Sequence, residues 1–249
     1  MPKNKIRIDE YLVRQGIFND KSDVAKFALA KEIRVDTTYI TSPATIIELD
    51  ENRIAKPEIF IKNQKQFVSR GSAKLLEAIS QFSIDANNKR CLDIGSSTGG
   101  FTDCLLQHGA AEVTCVDVNY GQLAWRLRNN PKVKVFERLN IKDANPKDIG
   151  APFDIIVTDV SFISLASLAD KIVSFCAAET QFIGLIKPQF ESRKGEAING
   201  IVTDPAIHKR CIKEVTEAFE KTGFKVQGVI DSPIKGQAGN KEFLIYCRY

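Results

Sequence analysis

An α/β domain built on a mostly parallel sheet, preceded by a small α+β module, is the fold this 249-residue sequence predicts. Three observations carry the prediction. From Phe67 onward, short apolar strands alternate with amphipathic helices, the pattern of a parallel sheet covered on both faces. Before that point two helices are followed by brief strands. Hydrophobic residues make up 43% of the chain and charged residues 27%, a globular balance. No apolar run approaches the length of a transmembrane helix. Residues 1–10 carry no apolar stretch of the signal-peptide kind, so a cytoplasmic protein is expected.

In the first module, Ile8, Tyr11, Leu12 and Gln15 follow helical spacing, closed by Gly16. A second helix is expected over 22–31, with Ser22 as N-cap and Val24, Phe27 and Ala28 facing inward. Strands are expected over 33–35 and, after Pro43, over 44–49. The polar stretch 52–66, with Pro57, reads as a last short strand and a linker. The boundaries expected are a module over 1–62, a linker over 63–68 and a large domain over 69–249.

The large domain opens with a helix over 72–82. Strands follow at 90–94, 112–117, 133–136, 154–158 and 182–186, with helices at 100–108, 122–129, 164–177 and 205–222. Two last strands, 224–230 and 241–247, bring the sheet to seven. With no helix between them they predict a hairpin-like, partly antiparallel edge.

Composition excludes some chemistry. The six cysteines (Cys91, Cys104, Cys115, Cys176, Cys211 and Cys247) form no CxxC pair and sit mostly in apolar stretches, so they read as buried and reduced. His108 and His208 stand apart from any ligand pattern, and no metal is expected. Net charge is +4, with most of the excess in residues 1–70. That permits a polyanionic partner without requiring one.

The strongest local signal is Cys91-Leu92-Asp93-Ile94-Gly95-Ser96-Ser97-Thr98-Gly99-Gly100. An apolar strand ends in an acidic residue, then a glycine-rich turn, then a helix. Ligands bind at such carboxyl ends of strands. The glycines lack the G-x-G-x-x-G spacing of a dinucleotide site, so the loop better suits a nucleoside carrying an amino-acid tail. The next strand ends in Asp117, 24 positions after Asp93 (117 − 93), near the offset of an acidic ribose ligand. Taken singly, each aspartate could equally cap a turn.

The ordered segments FVSRGSAKL (67–75), the 93–103 loop with Phe101-Thr102-Asp103, VDVNYGQL (116–123), TDVSFI (158–163), LIKPQFE (185–191) and SPIKG with GNKEF (232–243) span the larger part of the chain. They resemble the TlyA (haemolysin A) family, grouped with the FtsJ-like ribose methyltransferases. The resemblance implies a Rossmann-like methyltransferase domain using S-adenosylmethionine. It implies a catalytic tetrad of Lys74, Asp159, Lys187 and Glu242, and cofactor contacts from Asp93, Gly95, Ser96, Ser97, Gly99, Phe101, Asp117 and Asp159. It also implies 2′-O-methylation of a cytidine in ribosomal RNA. The short ends of the chain look like the family type that acts on the large-subunit RNA.

The chemistry suits such a set. A ribose hydroxyl is a poor nucleophile and must lose its proton as it attacks. Lys187 is the candidate base. Lys74 would hold the hydroxyl, and Asp159 and Glu242 would orient the lysines. The competing reading is four ordinary surface ion pairs, worth little each.

Residues 7–50 resemble the small RNA-binding module first known from a ribosomal small-subunit protein. Asp23, Val24, Lys31 and Thr37-Thr38 depart from that module's usual basic and glycine positions. Candidate phosphate contacts are Arg7, Arg14, Lys21, Lys26 and Arg34, with Lys3, Lys5 and Lys31 near them and Arg70 in the larger domain. Phe67 reads as a junction residue or as the first core residue of that domain. The expected partner is ribosomal RNA or a ribosomal subunit, with no membrane. The rival classes are a membrane-active haemolysin and an RNA-binding protein whose enzyme domain is inactive.

Overall fold

The computed structural model describes residues 4–15, 17–18, 20–49, 57–62, 67–236 and 238–249. Lys3, Gly16 and the linker positions 63–66 lie outside the described residues. The chain divides into two compact units, Met1–Gln66 with Ala124–Asn130, and Phe67–Leu123 with Pro131–Tyr249.

The first unit contains β1 (Asn4–Arg7), α1 (Ile8–Arg14), α2 (Lys21–Leu29), β2 (Ile33–Val35), β3 (Thr38–Tyr39), β4 (Ile46–Leu49) and β5 (Ile59–Ile61). β1 pairs antiparallel with β4, and β2 pairs antiparallel with both β3 and β5. Ile8, Leu12, Val24 and Ala28, apolar positions that helical spacing picks out, are fully buried in its core together with Ile33 of β2. α2 starts earlier than expected because its N-cap is Asp20, not Ser22. The Asp20 carboxylate accepts from the Asp23 N–H at 2.9 Å. β4 starts late because Ser42 accepts from the Ala44 and Thr45 N–H groups, folding 42–45 into a turn. β1 was not foreseen: it is a four-residue strand in a charged run, visible only through its partner.

The second unit begins with α3 (Ser72–Phe82), β6 (Arg90–Ile94), α4 (Gly100–Gln107) and β7 (Glu112–Asp117). α5 (Trp125–Arg128) is a single turn grouped with the first unit. Then come β8 (Val133–Glu137), α6 (Pro146–Ile149), β9 (Phe153–Thr158), a 3-10 turn at Ala166–Leu168, α7 (Ala169–Val173), β10 (Cys176–Ile186), α8 (Pro188–Glu191), α9 (Pro205–Lys221), β11 (Lys225–Asp231) and β12 (Phe243–Arg248).

Seven strands form one sheet in the order β11-β12-β10-β9-β6-β7-β8. β10, β9, β6, β7 and β8 pair parallel. β12 runs antiparallel to both β10 and β11. The antiparallel strand is therefore second from the edge, and β11 at the edge runs with the rest. The order in which strands are added reverses at β6, with β7 and β8 on one side and β9 and β10 on the other, so the strand ends beside it open a crevice, the usual ligand position in such sheets.

Two expected helices are shorter than their apolar pattern. Over 122–129 only α5 forms, because Gly121 is left-handed (φ 74°) and Ala124 is extended. Over 164–177 the helix ends at Val173, where the fully buried Phe175 turns the chain into β10. β10 itself starts six positions before the expected Phe182, across an irregular register between Cys176 and Gln181. Its inner end is densely packed: Phe182 stacks on Phe219 of α9 at 4.6 Å. The cysteines are free thiols, five buried and Cys176 half-buried. Burial pushes the thiols of Cys91, Cys104 and Cys176 up to about 12, which leaves them unreactive.

Candidate active site

Four charged side chains distant in sequence converge at the carboxyl edge of the sheet. Asp159 directly follows β9 and Lys187 directly follows β10. Glu242 directly precedes β12 rather than lying on it. It reaches the same edge because β12 is antiparallel and begins where its neighbour ends. Lys74 projects from the first turn of α3.

The Lys74 ammonium donates to Asp159 Oδ2 at 3.0 Å and to Glu242 Oε2 at 2.8 Å. Lys187 Nζ lies 2.5 Å from Asp159 Oδ1 and donates to Ser161 Oγ at 3.1 Å. Lys74 and Lys187 are each only 7% exposed and Glu242 3%. These are not surface ion pairs. Charges this deep are sustained by one another, since each alone would pay a large desolvation cost.

Burial presses the Lys74 ammonium down, but Asp159 and Glu242 outweigh it and hold the group above its usual value. Burial likewise disfavours the Asp159 carboxylate, yet Lys187 and Lys74 keep it below its usual range. Lys74, gripped by two carboxylates, stays a cation. Lys187 shares one carboxylate, that of Asp159, and the Ser161 hydroxyl.

Two adjoining cavities open on this array, of about 870 Å3 and 520 Å3. The larger holds the four charged residues and is walled by Asp93, Gly95, Ser96, Ser97 and Phe101. The smaller is walled by Asp117, Val118, Ile141 and Ile163. They share Gly95, Ser97, Asp159, Ser161 and Phe162. Of the eight cofactor positions expected, Gly99 alone lines neither. It is the left-handed N-cap of α4 (φ 93°).

The donor set suits a nucleoside with an amino-acid tail. Asp117 accepts from the Ser97 and Asn119 N–H groups at 2.7 and 2.8 Å. A carboxylate has further lone pairs, which can accept from a pair of hydroxyls. Its apolar neighbours Val118, Ile141 and Ile163 suit a flat heterocycle. Asp93 accepts from Thr102 N and Oγ1 at 3.0 and 2.6 Å through Oδ2. Complete burial raises its carboxyl to about 7. Gly95 is required by the protein itself: at φ 80°, a Cβ there would stand 3.1 Å from the Asp159 carbonyl oxygen.

Several site residues escaped the sequence reading. Ser161 touches Lys187. Phe162, 91% exposed and at φ 63°, lines both cavities and meets the Phe190 ring at 5.2 Å. Glu191 accepts from Ser164 Oγ and Leu165 N at 2.6 and 2.5 Å, and burial raises its carboxyl above the usual value. All three sit inside motifs already marked, but nothing local in the sequence distinguishes them from neighbours.

The candidate phosphate contacts fare unevenly. Arg7 forks onto Asp9 at 3.1 and 2.6 Å, Arg14 pairs with Glu10 at 2.6 Å and Lys26 with Asp23 at 2.8 Å. Arg34 lies 3.8 Å from Glu58 and over the Phe60 ring. Lys21 and Arg70 are exposed, and Arg70 lines the larger cavity.

Comparison with known proteins agrees with this geometry. Residues 67–249 match the FtsJ-like methyltransferase model. The chain is 38% identical to the 16S/23S rRNA (cytidine-2′-O)-methyltransferase TlyA of Mycobacterium tuberculosis, over 98% of this chain and 90% of that protein. It is 37% identical to hemolysin A of Brachyspira hyodysenteriae, over 97% and 99%. The solved structure of a putative hemolysin from Streptococcus thermophilus superposes with a TM-score of 0.72 at 34% identity, covering 99% of this chain and 89% of that one. With a matching family model over most of its length and full-length relatives above 30% identity, the chain belongs to the FtsJ-like methyltransferase family.

Proposed function

We propose that this protein is a cytoplasmic, S-adenosylmethionine-dependent methyltransferase that modifies the 2′-hydroxyl of a cytidine in ribosomal RNA. The observation that carries the reading is the buried Lys74–Asp159–Lys187 array, closed by Glu242, at the mouth of two cavities that suit a nucleoside and its amino-acid tail. The printed activity of the M. tuberculosis relative supplies the RNA and the cytidine.

In this reading Asp117 receives the cofactor's ribose, with the heterocycle against Ile141 and Ile163. Asp93, Gly95, Ser96, Ser97 and Phe101 surround the amino-acid tail. The cofactor supplies an electrophilic methyl group on a sulfonium. The chain's own work is to place a hydroxyl and take its proton. Lys74 donates a hydrogen bond to the hydroxyl oxygen. Lys187 Nζ accepts the proton, and Asp159 between them steadies the charge that builds on Lys187. Positioning of this kind lowers the barrier by removing orientational freedom in advance. Residues 1–62 act as the RNA-binding module, 63–68 as linker and 69–249 as the enzyme, with Arg70 at the mouth of the larger cavity.

The test is to map ribose methyl groups on both ribosomal RNAs from cells with and without the gene. Loss of one cytidine mark, restored by the purified protein and S-adenosylmethionine, is expected; unchanged maps would overturn the reading. The hemolysin names of two relatives motivate a membrane-active alternative. Among the described residues no helix is long and apolar enough to cross a membrane. Leakage of dye-loaded liposomes by the purified chain would favour that alternative.

A further inference from the structure

Lys187 does not meet Asp159 alone. Its Nζ donates to the Ser161 hydroxyl at 3.1 Å while lying 2.5 Å from Asp159 Oδ1. A neutral amine has two N–H bonds and one lone pair in a tetrahedron. With Asp159 and Ser161 taking both N–H bonds, the lone pair has a single remaining direction. Without Ser161, Asp159 still holds one N–H, but the lone pair shares the two remaining directions with the other N–H and points at a bound hydroxyl only part of the time.

The backbone around Ser161 is held as a support would be. Asp159 N–H donates to the Ile94 carbonyl at 3.2 Å, anchoring one end of the segment to β6. At the other end Glu191 takes Ser164 Oγ and Leu165 N–H at 2.6 and 2.5 Å. Glu191 belongs to the turn that Lys187 opens, and its own N–H donates to the Lys187 carbonyl at 3.2 Å. The loop bearing Ser161 is thus anchored to β6 on one side of the Ser161–Lys187 contact and tied to the turn that Lys187 opens on the other. Phe162, next to Ser161, is left-handed at φ 63°. A non-glycine residue adopts that conformation at a cost and keeps it only when its surroundings impose it.

From this geometry we infer that Ser161 is a positioning residue for the proposed methyl transfer, fixing the direction of the Lys187 lone pair through a hydrogen bond to Nζ. The inference rests on the proposed function. The other charged groups around Lys187 are Asp159 after β9, Lys74 on α3 and, through Lys74, Glu242 before β12. They are untouched by substitution at 161.

The experiment measures single-turnover methylation of ribosomal RNA for wild type, Ser161→Ala and Ser161→Thr, with cofactor and RNA affinities measured separately. In Ser161→Ala the rate should fall on the order of ten- to hundredfold, the worth of one hydrogen bond to a charged group, with both affinities within about twofold of wild type. Ser161→Thr, which keeps the hydroxyl, should recover most of the rate. A Ser161→Ala enzyme as fast as wild type, or one whose rate the threonine variant does not recover, would overturn the inference. So would a loss confined to binding. A wild type that methylates no RNA hydroxyl would instead overturn the proposed function, so the two failures are distinguishable.

Discussion

At the scale of single residues, the two lysines look alike in sequence and differ in surroundings. Lys74 is locked between two carboxylates, and the proposed reaction gives the proton to Lys187. Lys187→Ala should lower the single-turnover rate by about 100- to 10,000-fold, the usual worth of a general base, while RNA and cofactor still bind. Lys225→Ala, an exposed lysine on β11, should stay within a few-fold of wild type. Equal rates for Lys187→Ala and wild type would remove the assignment.

Asp93 gives a titration with a defined sign. Its folded value of about 7 lies above the unfolded value of about 3.9. The folded state therefore holds the proton more tightly, and ionisation of Asp93 works against folding. Its contribution is most favourable below pH 4 and is lost progressively as pH rises to about 7. Asn at this position keeps an oxygen for Thr102 and cannot ionise. Asp93→Asn should flatten the stability–pH curve between about 4 and 7, read by thermal denaturation at several pH values, and should weaken cofactor binding. A pH dependence identical to wild type would show that the Asp93 environment is misjudged.

At the scale of elements, what could be read from sequence was set by how local the cause is. β6 is a short apolar run between a polar start and a glycine turn, so its limits follow from its own residues. So do those of α3, whose Leu75, Ala78 and Ile79 fall on one buried face. The helix expected over 122–129 fails for a reason that lies partly outside it, in the left-handed Gly121 whose N–H donates to Glu137 of β8 at 2.8 Å. Lys74, Asp159, Lys187 and Glu242 could be singled out because each lies in a segment that carries the family resemblance. Ser161 and Glu191 were not, since their partners lie 26 or 27 positions away and the contact exists only once the strands are ordered. α3 and α4 show the same dependence. A Cβ on Gly100 would overlap Ser69 Oγ and stand 3.1 Å from the Ser72 nitrogen. Gly100→Ala should therefore push apart the starts of the two helices, at a cost of about 1–3 kcal/mol. Since α3 carries Lys74, the methylation rate should fall along with the thermal midpoint. An unchanged midpoint and rate would show that the helices tolerate the methyl group.

At the scale of the whole molecule, the proposed reaction requires a chain with a net charge of only +4 to engage a polyanion. Affinity for nucleic acid grows with the number of phosphates neutralised and falls with salt accordingly. Arg7, Arg14, Lys26 and Arg34 are each within ion-pair distance of a carboxylate of the same module, so each must loosen that contact before meeting a phosphate. Arg7 in particular serves the fold: its fork neutralises Asp9, a carboxylate only 2% exposed, and holds it below its usual range. Arg70 is exposed at the wall of the larger cavity, where an approaching strand must pass in the proposed reaction. The two arginines should therefore respond differently to removal. Arg7→Ala should lower the thermal midpoint, because the buried Asp9 loses its counter-charge, with a small effect on RNA affinity measured well below that midpoint. Arg70→Ala should leave the midpoint unchanged, weaken RNA binding across sequences and reduce the slope of log affinity against log salt by about one phosphate contact. Titration of ribosomal RNA fragments at several salt concentrations, beside thermal melts of both variants, separates the two roles. An Arg70→Ala protein with wild-type affinity and salt slope would place the RNA path away from that wall, leaving Lys21 of α2, exposed as well, as the next cation to substitute.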